Sequence, residues 1–326
     1  MSERQWLNIT AAEYHELDAI SSSMLKVMEK EGPMDYHAQY IAKQKQRPAT
    51  TAQRMGTAFH SAMEDPDCWD KSYLIIDEVI DDKSIAEQVN EVLDEKKSSA
   101  ARCEMGAAIN RRQAAHKMYL AEVERQAAED GREIMTAYQY AIVEKQIAAV
   151  YDNPGTAQYV GHRNPNNVEL ACLWDCPYGM PVKALVDLLV DDTIVDFKTT
   201  RATQNYDWFR EGKRHGYAYQ AAHYLYVTGL PNFCFISVTS EAALKTGSHC
   251  EAMLWEVTYA DLAEAHEANM KALSTLQTAD LLSGNDPLTD SQGVPEIWHN
   301  EGWGSLEPLP MSFAAFGNEA EPEEYL

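Results

Sequence analysis

Apolar side chains recur every three or four positions through the first 150 residues and switch to alternation beyond residue 165, which predicts helices followed by strands. Thr10 and Glu13 form a capping box that opens a helix over 11–17. Ser21-Ser22-Ser23 precedes a short helix ending near Glu31-Gly32, and Pro33 introduces one over 34–46. Further helices are predicted at 51–64, stopped by Asp65-Pro66, at 84–97 behind Ser84-x-x-Glu87, and over the alanine-rich stretches 104–129 and 135–151. Strands follow at 167–174, 182–190 and 193–199. A helix over 216–227 ends at Gly229-Leu230-Pro231, and strands at 233–239 and 252–257 precede an amphipathic helix over 261–282. Helices, then β-β-β-α-β, define an α/β fold with a central mixed sheet. One domain is expected over 1–285, with a helical portion to about 160 and the sheet core after it. A tail over 286–326, rich in Gly, Pro and Glu, is expected to be loosely held.

Within the strand region, two β-branched runs flank Asp191-Asp192, the signature of a hairpin. Asp196 and Lys198 are two apart on the second strand and share a face, while Asp187 comes from the first. Charges in a Val/Ile/Leu sheet are costly unless they meet one another or a cation. Carboxylates suit a hard divalent ion that leaves room for a phosphate oxygen, and a lysine beside it stabilises the charge of phosphodiester cleavage. Taken alone, Asp-x-Lys is an ordinary cross-strand salt bridge.

Composition bounds the rest. At 326 residues and 45% hydrophobic the chain can bury one large core or two modest ones. No apolar run approaches the ~20 residues that span a bilayer, and the first residues lack a signal-peptide layout, so a cytoplasmic protein is expected. Six scattered cysteines lack metal-cluster spacing. The net charge of −24 repels polyanions at long range. Two basic islands oppose it locally. One holds Lys43, Lys45, Arg47 and Arg54; the other holds Lys198, Arg201, Arg210, Lys213 and Arg214. Each is either a solvated helix face or part of a cationic groove for a phosphate backbone. Neither a Walker phosphate loop nor Gly-x-Ser-x-Gly occurs, which argues against ATP hydrolysis and serine hydrolase chemistry.

Two further pieces lie in order around the hairpin. Upstream, Gly56-Thr57-Ala58-Phe59-His60 puts an imidazole on a small-residue helix. Downstream, Gln220 and Tyr224 share one helical face. Gly-Thr-Ala-x-His, a strand Asp, Asp-x-Lys and Gln-x-x-x-Tyr together resemble the PD-(D/E)XK nuclease superfamily, in its RecB-like branch, and look most like exonuclease VIII (RecE-like) nuclease domains and phage-encoded relatives. Ser21-Ser22-Ser23-x-Leu25-Lys26 fits their N-terminal pattern, whereas the family's Pro-Asp pair reads Val186-Asp187 here.

The resemblance implies a restriction-endonuclease-like core and a magnesium-dependent deoxyribonuclease, with manganese as a substitute. It assigns His60, Asp187, Asp196 and the carbonyl of Phe197 to the metal, Lys198 to catalysis and Gln220 with Tyr224 to the motif after it; Glu169 is a further candidate ligand. Arg54, Arg201, Arg210, Lys213 and Arg214 are the candidate DNA contacts. Implied partners are linear double-stranded DNA ends, a single-strand annealing protein and further copies of the chain in a ring, with no membrane. The implied activity is 5′-to-3′ exonucleolytic resection in phage-type recombination. An endonuclease or single-strand nuclease of the same fold, and a non-catalytic acidic module that binds a protein or mimics DNA, are the alternatives.

Overall fold

A computed structural model describes residues 3–43, 49–66, 68–77, 99–202, 204–257, 262–283 and 314–315. The helix expected over 84–97 and nearly all of the 286–326 tail lie outside the described residues. The chain divides into two compact units, residues 1–64 with 146–326 and residues 65–145, so the helical portion expected over 1–160 is shared between them.

The larger unit opens with β1 (Gln5–Leu7), α1 (Ala11–Glu16), α2 (Ser22–Lys30), α3 (Pro33–Tyr36) and α4 (Thr51–Glu64). Thr10 caps α1 as expected, its side chain accepting from the Glu13 amide while Glu13 reaches back. The helix expected over 34–46 is shorter, α3 running into a single π-helical turn that stops at Ile41. In the smaller unit β2 (Tyr73–Ile76) pairs in parallel with β3 (Glu133–Thr136), which follows α5 (Ser99–Asp130). Trp69 stacks on Tyr140 at 5.2 Å there. The chain then continues along α6 (Ala137–Asp152) and α7 (Pro154–Val160), where Pro154 takes the first turn and Asn153 caps it.

Strands β4 (Val168–Asp175), β5 (Pro181–Val190) and β6 (Thr193–Thr200) form the expected meander. Two helices, α8 (Asn205–His215) and α9 (Tyr217–Thr228), lead to β7 (Asn232–Thr239). Then come α10 (Glu241–Lys245), β8 (Ala252–Val257), α11 (Ala263–Ser283) and β9 (Ala314–Ala315). The sheet order is β1-β4-β5-β6-β7-β8-β9, with β6 and β7 parallel and the other pairs antiparallel, so the mixed sheet flanked by helices holds. Helix α8 went unanticipated, although its buried Trp208 and Gly212 are spaced one helical turn apart. The three-residue β1 is likewise too short to show alternation.

Neighbouring residues of β6 and β7 feed different cores on the two sheet faces. Ile194, Phe233 and Phe235 join one; Val195, Phe197, Cys234 and Ile236 join the other. Strand β5 breaks this rule. Val182, Ala184 and Val186 pack in the first core, yet Leu188 and Val190, at the same parity, pack in the second. The period slips at Asp187, and on β4 the partner position, Glu169, has a left-handed φ of +46°. A left-handed non-glycine residue inside a strand costs about 1–2 kcal/mol and needs its surroundings to hold it.

Candidate metal centre

The β5–β6 hairpin turns at Asp191, whose φ of +53° suits a tight turn. Ladder pairing runs through Val190↔Thr193, Leu189↔Ile194 and Leu188↔Val195. At the next step the strands part, and the Asp187 carboxylate, rather than a carbonyl, accepts the Phe197 amide at 2.8 Å. This opening, made by the same slip that turns β5 over, is where the candidate side chains gather.

Helix α4 crosses β5 and β6 closely, and a side chain at Gly56 would lie 3.7 Å from Thr199 Oγ1. Phe59 and Met63 anchor the helix in the core. His60, one residue on from Phe59, brings Nδ1 to 3.2 Å from Asp187 Oδ2. Glu64, one turn later, comes within 4.0 Å of the same nitrogen. His60, Glu64 and Asp187 each offer one ligand atom, all within 4.8 Å of one another.

Asp196 and Lys198 project together, as their spacing requires. Asp196 is buried; one carboxylate oxygen takes the Lys198 ammonium and the other the Gln220 side-chain amide. Lys198 also donates to the Phe197 carbonyl at 3.3 Å and lies over the rings of Tyr217 and Phe235 at 5.6 and 5.8 Å.

The electrostatics follow from this crowding. Burial pushes the Glu64 carboxyl up to about 10, helped by the charges of Asp187 and Glu169 and a hydrogen bond to Glu169. Burial lifts Asp196 to about 6 against the pull of Lys198. Asp187 stays below the usual carboxylate range because the His60 and Lys198 charges and the Phe197 amide outweigh its burial. His60 is raised, since its attraction to Asp187 outweighs its own burial. Carboxyls that must hold a proton to coexist are a site short of positive charge. His60, Glu64 and Asp187 would hold a divalent cation, which on binding would displace the protons of Glu64 and His60.

The structure therefore brings His60 to Asp187 and Asp196 to Lys198 and Gln220, in two adjoining groups. Asp196 is not within the 4.8 Å trio, and the Phe197 carbonyl accepts a hydrogen bond from Lys198 at 3.3 Å. Tyr224 stands one step behind: it is buried, bonds to Gln220, packs 6.2 Å from Phe233, and its hydroxyl is held well above the usual phenol range by burial. Glu64 was missed by sequence reading, though its spacing from His60, one helical turn, was visible. Beyond Lys198, Arg201, Arg210, Lys213 and Arg214 line a cavity of about 610 Å³ with Ala202, Asp207 and Glu211. Arg54 is not among its walls; it donates to Thr51 within α4 at 3.5 Å.

A strand Asp, Asp-x-Lys on the next strand and the α4 histidine therefore lie together at the opened hairpin. Residues 20–233 match the family model of the PD-(D/E)XK nuclease superfamily, and the chain belongs to that family of phosphodiester-hydrolysing, divalent-metal-using nucleases. The mixed sheet with flanking helices is its restriction-endonuclease-like core. No curated protein matches the chain. Among the described residues, no helix is long and apolar enough to cross a membrane.

Proposed function

We propose that the protein is a magnesium-dependent deoxyribonuclease that resects linear duplex DNA from its 5′ ends. The observation that carries the reading is the junction of the His60–Glu64–Asp187 group with the Asp196–Lys198–Gln220 group at the opened hairpin. When bound, a divalent cation supplies Lewis acidity toward a phosphodiester oxygen. The protein's own groups do the rest. Asp187 is tied to the Phe197 amide, so its free oxygen is fixed in direction. Gln220 orients Asp196, and Asp196 in turn holds the Lys198 ammonium where negative charge builds on a phosphate. The buried rings of Tyr217 and Phe235 keep that ammonium partly dry and strengthen its field. The basic cavity past the end of β6 supports a nucleic-acid substrate despite the acidic body.

The order of motifs resembles RecE-like exonucleases, and on that likeness we place the activity in phage-type recombination, with further copies of the chain and a single-strand annealing protein as partners and the cytoplasm as location. End-labelled linear duplex and a closed circle, each with and without Mg²⁺, test the reading. Loss of 5′-terminal label from the linear substrate alone, only with metal, is expected. Lys198→Ala is expected to lower the rate by at least about 100-fold, the effect of removing one preorganised charge-stabilising donor, while leaving the fold intact. A cut circle moves the activity to an endonuclease, and undiminished turnover in Lys198→Ala removes the lysine from the chemistry.

A further inference from the structure

We propose that the outward face of α8 is a platform for an unpaired nucleotide of the strand being cut, with Tyr206 stacking on its base and the adjoining basic cavity seating its phosphate. The inference rests on the nuclease reading and adds the conformation of the substrate beside the cut.

Tyr206 leaves 69% of its surface in solvent, more than any other exposed tyrosine among the described residues. One face of its ring carries the Arg210 guanidinium, 5.7 Å from the centroid and one turn along α8, which leaves the opposite face for a base. The helix beneath it is held firmly. Trp208 is fully buried and stacks on Trp255 with centroids 5.0 Å apart and planes at 12°. Glu211 accepts a hydrogen bond from Thr200 Oγ1 at 2.9 Å, and Thr200 is the last residue of the strand that carries Lys198. The platform is therefore fixed to the catalytic strand itself.

The cavity beside it has four cations, Arg201, Arg210, Lys213 and Arg214, against two acids. Glu211 is committed to Thr200, and Asp207 meets Arg210 at 3.8 Å and in solvent. The excess positive charge faces an open space large enough for a nucleotide. Arg201 lies three residues beyond Lys198, roughly 10 Å along extended backbone, so a chain cut at Lys198 reaches the cavity within one or two nucleotides. Exposed aromatic and cationic groups in alternation are the arrangement that holds single strands, because an unpaired base offers its π-face while a duplex hides it.

The test uses the full chain in EDTA with a single-stranded oligonucleotide carrying 2-aminopurine at successive positions from its 5′ end. Wild type, Tyr206→Phe and Tyr206→Trp are expected to quench the probe on binding. Tyr206→Ala is expected to lose the quench and to bind about 10- to 100-fold more weakly, with little change in affinity for a relaxed closed circle. Tyr206→Ala matching wild type in quench and affinity, losing affinity for the closed circle equally, or an unquenched wild-type complex overturns the platform. Cleavage by wild type in Mg²⁺ is scored separately: a protein that quenches the probe but never cuts keeps the platform and loses the nuclease reading.

Discussion

Glu64 shows how a site residue can be invisible until the fold supplies its neighbours. In sequence it is one glutamate among 51 acidic side chains. In the structure it shares a helix face with His60 and meets Asp187 and Glu169, which with burial push its carboxyl up to about 10. At neutral pH and without metal it holds a proton, so Glu64→Gln imitates the resting state. That variant is expected to melt within a few degrees of wild type in EDTA. Because a ligand bound only by the folded state raises its stability in proportion to ln(1 + [L]/Kd), Mg²⁺ is expected to raise the melting temperature of wild type and to raise that of Glu64→Gln much less. Thermal melts in EDTA and in excess Mg²⁺ measure this; equal shifts in the two proteins would take Glu64 out of the metal centre. Asp187, Asp196 and Lys198 were legible beforehand because one short hairpin carries all three. His60 was legible only through the ordered motif, and the reversal of β5 at Asp187 has no signature in the residue pattern at all.

Elements are joined at the site by a single glycine. Gly216 ends α8 and begins α9 with φ +72°, and a methyl there would sit 2.9 Å from Lys26 Cδ and 3.3 Å from Tyr219 Cδ2. Left-handed backbone costs a residue with a Cβ about 1–2 kcal/mol, and the flexible Lys26 chain can yield where the Tyr219 ring cannot. Gly216→Ala is therefore expected to unfold at lower denaturant by that amount. Because Gln220 lies on the first turn of α9, the same variant is expected to cleave more slowly than its lost stability accounts for. Denaturant midpoints and cleavage rates on one preparation decide it, and a midpoint unchanged from wild type refutes the strain argument. The helix over 216–227 was readable from its apolar run and closing Gly229. Helix α8 was not, its exposed face being charged; Trp208, Phe209 and the Thr200–Glu211 hydrogen bond hold it to the sheet.

At the scale of the molecule, a net charge of −24 and a local cluster of four cations act against each other. The first repels nucleic acid over distance and is screened by salt; the second releases counterions on contact. Affinity for single strands in EDTA is expected to fall with salt at a log–log slope no steeper than about −3, the value for four phosphate contacts at roughly −0.7 each. A slope near zero between 50 and 300 mM NaCl, a range of about 0.8 log units, means that α8 does not touch phosphates. The acidic balance alone argues against nucleic acid, but the basic island over 198–214 was already legible in the sequence, and the structure gathers its Arg201, Arg210, Lys213 and Arg214 around one cavity.

The parallel pairing of β6 with β7 also bears on synthesis. As the chain leaves the ribosome, β6 emerges with β5 alone to pair with, and Lys198 lacks both the Gln220-held Asp196 and the ring of Phe235 beneath it. A nascent chain released before β7 is translated thus already carries every candidate acid of the site and Gln220, but lacks the parallel strand beside β6 and the Phe235 ring that Lys198 lies over.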